Sequence, residues 1–302
     1  LELILHPMVE EAKEAVGSMG DDTPAAVLSE KYRPLSHFFR QNFSQVTNPP
    51  IDSLRENEVM SLKTRFGNLG NILDFENLTE ENIYVLDSPI LSNAQFDKFF
   101  KFFKKNIKIL DCTFNIKNSL KERLDGLRLE AEIAVREGAK HLILSDKKID
   151  HEKAPVPMVL AIGAINSKLV NSGIRGFASI NVQTSETFDT HSFAVLLGVG
   201  ATTINPYIAF DSIHQRYEKK LFGKLNFKEC VERYINSVDN GLLKIMSKMG
   251  ISVLSAYRGG CNFETIGLSR AIVAEYFPGM ISRISGIGIF GIEAKIKELH
   301  KK

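Results

Sequence analysis

The stretch His141-Leu142-Ile143-Leu144 is a short apolar run that predicts a buried β-strand. On its amino-terminal side, Ser119 and Glu122 form a capping box ahead of an apolar helical pattern, and Gly138 stands where that helix should end. Further runs of the same character occur at 83–86, 107–110, 177–182, 202–204 and 251–254. From residue 83 onward the sequence therefore predicts alternating strands and helices.

Helical patterns fill the intervals between these runs. Asn205 followed by Pro206 predicts a helix start, and Ser269 predicts another. One long helical face is traced by Phe227, Cys230, Val231, Tyr234, Ile235, Val238, Leu242 and Ile245. Phe96, Phe99, Phe100 and Phe103 have the spacing of a helix packed on a sheet, which we favour over a nucleic-acid or membrane patch.

Strands that are separated by whole helices cannot be joined as hairpins, so we predict a mainly parallel sheet with right-handed crossovers. About six such units fit an α/β fold with a complete or incomplete (β/α) barrel-like domain. An open doubly wound sheet remains the alternative, because both architectures produce the same alternation. We assign residues 83–302 to this domain and residues 1–82, which prolines and glycines break into short pieces, to an irregular N-terminal connector or cap.

Composition limits the partners and the compartment. The 302 residues carry 38 basic and 36 acidic side chains, a net charge of +2 that gives no electrostatic case for nucleic acid or an anionic membrane. Cys112, Cys230 and Cys261 are too far apart for a zinc site or redox dithiol, which predicts a reducing, cytoplasmic setting. Cys230 is expected to be buried and Cys261 accessible. The longest apolar stretch, 193–210, is interrupted by polar residues, and the chain starts at Leu1, so we expect a piece of a longer protein without a membrane span.

Three carboxylates directly follow predicted strands: Asp87, Asp111 and Asp146. On one rim of a barrel they could act as metal ligands or as an acid and base. The simpler interpretation is that each caps or turns its own loop, because no further ligand is spaced to complete any of them. His191, near Glu186 and Asp189, is the histidine that we consider as a general base. A GxGxxG pattern at 286–291 is interpreted as a coincidence.

Some loops are dense in residues that constrain the backbone, and we predict that they form a docking surface. Rigid loops bind a neighbour at lower entropic cost. The residues are Met19, Gly20, Asp21, Asp22, Thr47, Asn48, Pro49, Tyr257, Arg258, Gly259 and Gly260.

Long motifs lie at 19–24, 45–52, 193–207, 244–260, 263–269 and 282–288. Together they resemble the central domain of the glutamate synthase large subunit, and the resemblance covers nearly the whole chain. It implies a cofactor-free α/β domain related to a (β/α) barrel, placed between a glutaminase domain and a flavin-binding synthase domain. It also implies that the complete enzyme makes two glutamates from glutamine and 2-oxoglutarate with electrons from NADPH or ferredoxin, passing ammonia internally.

The same resemblance assigns FMN and an iron–sulfur cluster to the complete large subunit and none to this chain. The cysteine spacings of 118 and 31 residues provide no cluster motif, and none of the family's catalytic residues can be carried over. The expected partners are the glutaminase and FMN-binding synthase domains, and an electron-donating small subunit is compatible with them. We therefore expect a non-catalytic linking domain. The alternative is a free-standing (β/α) barrel enzyme or ligand-binding module that uses the Asp87, Asp111 and Asp146 rim.

Overall fold

The computed structural model describes residues 1–15, 24–43, 55–67, 73 and 83–301. In these residues the strands are, in chain order, β1 (Phe39–Gln41), β2 (Thr64–Phe66), β3 (Tyr84–Leu86), β4 (Ile107–Asp111), β5 (Thr113–Asn115), β6 (His141–Ser145), β7 (Lys153–Pro155), β8 (Ser179–Gln183), β9 (Thr203–Asn205), β10 (Phe263–Leu268) and β11 (Ile281–Ile287). The helices are α1 (Leu5–Glu11), α2 (Glu56–Val59), α3 (Asn93–Phe103), α4 (Leu120–Arg136), α5 (Met158–Asn171), α6 (Thr190–Gly198), α7 (Tyr207–Glu218), α8 (Phe227–Met249), α9 (Leu254–Tyr257), α10 (Arg270–Tyr276) and α11 (Ile289–His300).

A four-stranded parallel sheet forms the centre of the molecule. Its strands lie in the order β4, β6, β8 and β9, and the α/β fold with a mainly parallel sheet is confirmed. Ile90 extends the sheet through a parallel bridge to Ile204, where the Leu91 amide donates to the Ile204 carbonyl over 2.8 Å. Among the described residues the strand pairs do not close into a ring.

The two faces of this sheet differ in chemistry. One face is apolar: Leu110, Leu144, Val182 and Ile204 are paired across the strands and are fully buried beneath the helices that include α4 and α5. Side chains alternate between the two faces along each strand, so the residues between these apolar ones lie on the opposite face, and many of them are polar. Near the amino ends of the strands it is covered by an aromatic cluster, in which Phe103 lies 4.1 Å from the His141 ring, centroid to centroid.

A second sheet has the order β1, β10 and β11, with β1 antiparallel and β11 parallel to β10. Strand β10 is buried, whereas β11 is an edge strand whose central residues are exposed. Gly286 allows the two strands to approach, because a Cβ there would lie 2.2 Å from the Gly267 carbonyl oxygen. The GxGxxG pattern spans the end of β11 and the first turn of α11, and Gly286 serves strand packing.

Several sequence predictions need correction. Residues 251–254 do not form a strand: Val253 makes a single bridge to Ser61, and helix α9 begins at Leu254. Strand β3 pairs antiparallel with β2 in a separate two-stranded sheet. Asn205 ends β9, and Pro206 is the N-cap of α7. The long helical face is confirmed in α8, where Asn226 and Glu229 form a capping box. The phenylalanine stripe of α3 is confirmed as core, because Phe96, Phe99 and Phe103 are buried.

Helix α1 buries Leu5, Met8 and Val9 in the same apolar core as the parallel sheet. The proposed division at residue 82 stays a prediction. Of the helices in the described part of the chain, none combines the length and apolar character that a bilayer crossing requires. Cys230 is buried and Cys261 is exposed, as predicted, and Cys112 is buried as well.

Candidate functional site

The carboxyl ends of the parallel strands carry a row of polar side chains. The strand register places Asp111, Ser145, Gln183 and Asn205 side by side. Ser145 Oγ donates to Gln183 Oε1 over 2.9 Å, and Gln183 Nε2 donates to Asn205 Oδ1 over 3.1 Å. Asn205 Nδ2 then donates to the Leu91 carbonyl and to Asn93 Oδ1. These neutral groups satisfy one another across the edge where parallel α/β proteins usually place their chemistry.

Asp146 comes directly after β6 and is fully buried beside this row. Its Oδ2 accepts hydrogen bonds from Thr184 Oγ1 (3.0 Å), the Ser185 amide (2.8 Å) and Ser185 Oγ (2.9 Å). Its Oδ1 is buried without a hydrogen-bond partner. Burial raises the pKa of this carboxyl above its ordinary value, because loss of water disfavours the charged form. Asp146 therefore holds the loop after β8 against the end of β6.

Glu186 lies in that same loop. Its Oε2 accepts a 2.9 Å hydrogen bond from the Met158 amide at the start of α5, where the N-cap residue is Pro157 and supplies no side-chain cap. Burial, followed by the charge of Asp146, raises the pKa of Glu186 to about 7. Glu186 thus caps a helix whose residues from Met158 to Ile165 are all buried.

The structure does not bring the three predicted carboxylates together. Asp111 Oδ1 accepts from the Thr113 amide and hydroxyl, and its Oδ2 lies 3.5 Å from Lys148 Nζ. Asp87 follows β3, which belongs to the separate two-stranded sheet, and its side chain is 89% exposed with Oδ1 3.4 Å from Lys63 Nζ. The rim hypothesis is therefore wrong for Asp87. In the described residues no group of three potential ligands could hold a metal ion.

The residues that we predicted to form a docking surface differ in their burial, and some of them lie outside the described residues. Tyr257 is buried and its hydroxyl donates to Gln41 Oε1 over 2.7 Å, Arg258 is half-buried, and Gly259 and Gly260 are exposed. Met19, Gly20, Asp21, Asp22, Thr47, Asn48 and Pro49 lie outside the described residues. The docking role of this set stays a prediction.

His191 does not contact a carboxylate through its ring nitrogens in the described structure. Its Nε2 lies 3.0 Å from the Ser36 carbonyl, and its ring packs against Phe263. Asp189 instead caps α6 by accepting from the Ser192 amide. Sequence reasoning missed Gln183, and it considered Glu186 only as a neighbour of His191 and Asn205 only as a helix start. Their signal was the polar run that directly follows the apolar part of β8, together with the asparagine at the end of β9.

Comparison with known proteins decides the family. Residues 1–269 match the model of the glutamate synthase central domain. The chain belongs to this family.

Two relatives show how this central domain is used in longer chains. The chain is 56% identical over 303 residues to the glutamate synthase [NADPH] large chain of Azospirillum brasilense, covering 99% of this chain and 20% of that protein. It is 38% identical over 316 residues to the ferredoxin-dependent glutamate synthase of Pyropia yezoensis, covering 100% of this chain and 20% of that protein. The central domain thus spans about a fifth of the length of these curated relatives. A solved structure of a flavocytochrome b2 mutant with benzoylformate has a TM-score of 0.39 and 11% identity, covering 63% of this chain and 40% of that one.

Proposed function

We propose that this central domain is a non-catalytic link that holds a glutaminase domain and an FMN-binding synthase domain in register for glutamate formation from glutamine and 2-oxoglutarate. In this proposal the chain binds no cofactor itself, and the FMN and iron–sulfur cluster belong to the rest of the large chain. An electron-donating small subunit is a further partner of the assembly, which works in the cytoplasm.

The carboxyl edge of the sheet supports the non-catalytic part of the proposal. Asp146 binds the loop after β8, Glu186 caps α5, and Gln183 connects its two neighbours in the row. Each of these side chains makes at least one hydrogen bond to another part of the domain. They are therefore better suited to fixing the end of the sheet than to acting on a substrate.

The single observation that carries the linking role is the exposed edge strand β11. Ile281 and Ile284 are 52% and 59% exposed, and Phe290 in the following helix is 76% exposed. A free strand edge with apolar side chains is a ready pairing surface, which proteins normally cover. Four-fifths of each relative lies outside the matched segment, so the complete chain has ample material to cover this edge. We assign this cover to the FMN-binding synthase domain.

The test uses a complete large chain that contains this domain, with Ile284→Ser as the variant. Val170→Ser is the matched control, because Val170 is a β-branched residue with 54% exposure on α5. We expect Ile284→Ser to lower glutamine-dependent glutamate formation roughly fivefold or more, equivalent to about 1 kcal/mol. Formation from added ammonia should stay within about twofold, since it needs only one site.

The control should leave both rates unchanged. Equal losses of the glutamine-dependent and ammonia-dependent rates in Ile284→Ser would contradict the linking role, and so would unchanged rates in both variants. Thermal melting of the 302-residue chain carrying Ile284→Ser separates a docking effect from unfolding, because an exposed side chain should contribute little to the stability of the domain alone.

A further inference from the structure

A wide groove opens at the amino ends of β6 and β8, on the opposite edge from the polar row. Its volume is about 890 Å³, and its described lining contains four permanently basic side chains and no acidic one. The basic residues are Arg65, Lys140, Arg175 and Arg258. We call this feature the basic groove. Arg65 and Lys140 are exposed at its surface, and Arg175 and Arg258 are half-buried.

Arg175 is held rigidly by neutral acceptors. Its Nε donates to Asn166 Oδ1 and its Nη1 to the Ala178 carbonyl, each over 2.6 Å, and its Nη2 donates to the Gly200 carbonyl over 3.0 Å. Burial lowers the pKa of this guanidinium. None of its described partners carries a negative charge, so its position is fixed while its charge is not neutralised.

Arg258 is less well satisfied. Its Nη2 makes two long hydrogen bonds, to Thr64 Oγ1 at 3.3 Å and to the Thr202 carbonyl at 3.4 Å, and its Nε is buried with no acceptor. Burial, followed by the charge of Arg175, lowers the pKa of Arg258 to about 10. Two guanidinium groups that repel each other therefore line one groove, and no described carboxylate lies within ion-pair distance of either.

Half-buried cations without an anion are costly, and an oxyanion is the group that offsets this cost most completely. Arginine suits this role because its planar fork binds carboxylate or phosphate oxygens through paired hydrogen bonds. We propose that the basic groove is an oxyanion-binding site, in which a carboxylate or phosphate group lies against Arg258 and Arg175 while Lys140 and Arg65 attract it from the mouth. The exposed rings of Phe102 and Phe177 line the same groove and contact the uncharged part of the ligand.

This proposal concerns a site outside the linking surface of β11 and does not depend on it. The oxyanion has two sources, a free small molecule or an acidic side chain from another part of the complete large chain. Both present the same oxygens to the arginines. The experiment therefore uses free probes first and the complete chain second.

Isothermal titration calorimetry of the 302-residue chain at low ionic strength uses inorganic phosphate and glutarate as probes. We expect at least one probe to bind at a single site, with an affinity that falls as sodium chloride is added. Arg258→Gln should weaken this binding about tenfold or more, and Arg258→Lys should retain part of it. Arg270→Gln is the matched control, because Arg270 is an exposed arginine outside the groove. This variant should bind the probe with the same affinity as the unchanged chain.

Two results would overturn the proposal: no binding of either probe at low salt, or binding that Arg258→Gln leaves unchanged. Melting temperatures of the three variants establish that each is folded during the titration. The same titration of a complete large chain then separates the sources. Retained binding identifies a small-molecule site, and loss of probe binding together with protection of Arg258 from arginine-specific reagents identifies an acidic segment of the larger chain.

Discussion

The two edges of the central sheet differ in how their polar groups are satisfied. At the carboxyl edge, Ser145, Gln183 and Asn205 form a continuous line of hydrogen bonds with one another. At the amino edge, Arg175 and Arg258 line an open groove and have only neutral partners among the described residues. The edge that usually carries chemistry in parallel α/β proteins is thus closed by the protein's own side chains, and unused binding capacity lies at the opposite edge.

The difference follows from the chemistry of the side chains. A hydroxyl or an amide can both donate and accept, so a row of such groups can satisfy itself. A guanidinium only donates, and several cations cannot neutralise one another. Polar residues at the carboxyl edge therefore stabilise the fold, whereas the basic residues at the amino edge require an anion from outside the described structure.

The largest expected effect is the difference in thiol reactivity between the closed carboxyl edge of the sheet and the exposed surface of the protein. Cys112 lies directly after β4 at the carboxyl edge and is fully buried, as is Cys230 on α8, whereas Cys261 is exposed. Burial also raises the pKa of the Cys112 thiol, which lowers its reactive thiolate fraction. We expect Cys261 to react about 10³-fold faster or more than either buried thiol, because those react only upon opening of the structure. Mass spectrometry of a timed labelling reaction measures this, and comparable rates for Cys112 and Cys261 would show an open carboxyl edge.

Removing the centre of the polar row should be strongly destabilising. Gln183→Ala removes the acceptor of the buried Ser145 hydroxyl and the donor to Asn205 Oδ1, and it also creates a cavity. We expect a loss of about 2–4 kcal/mol in the free energy of unfolding, measured by urea denaturation. Lys140→Ala at the amino edge is the control and should change it by less than about 0.5 kcal/mol, because Lys140 is exposed. Similar losses in the two variants would remove the distinction between the edges.

Glu186 makes the carboxyl edge sensitive to pH. Its pKa is about 7 in the folded chain against an ordinary value of 4.5, so between these pH values the unfolded chain releases a proton that the folded chain retains. The free energy of unfolding should therefore fall as pH rises through this window, by about 3 kcal/mol from this group. Glu186→Gln should abolish this part of the fall while preserving the hydrogen bond from the Met158 amide.

Urea denaturation at pH 5 and pH 8 measures the effect. Asp87→Asn is the control, because that side chain is 89% exposed and the fall with pH should persist in the variant. If Glu186→Gln retains the full fall, the group that titrates in this range lies elsewhere, and Asp239, whose pKa burial raises to about 7, is the next residue to change.

The sequence was sufficient to predict the parallel strands, because β4, β6 and β8 contain short apolar runs, β9 contains Ile204, and whole helices separate the four strands. It was misleading at 251–254, where Val253 and Leu254 are apolar for different reasons: Val253 bridges Ser61 and Leu254 starts a buried helical turn. Strands β10 and β11 were missed, because glycines and polar residues interrupt their apolar pattern.

The sites were harder to predict than the strands. Asp111 and Asp146 do lie at one edge, but only the structure shows that one oxygen of each already accepts hydrogen bonds, from Thr113 and from Ser185 respectively. The basic groove was not visible in the sequence, since Arg65, Lys140, Arg175 and Arg258 come from four separate segments. Residues that far apart have no spacing that would indicate a common site, and only the folding of the chain brings them together.

We propose that the carboxyl-edge carboxyls stabilise this domain and do not act on a substrate. The most direct measurement is the rate of glutamate formation by a complete large chain that carries Asp146→Asn, a change that preserves size and the acceptor for Thr184 and Ser185. We expect both the glutamine-dependent and the ammonia-dependent rates to stay within about twofold of the unchanged enzyme. A loss of about 100-fold or more with an unchanged circular dichroism spectrum, the size expected for removal of a catalytic acid or base, would contradict the account.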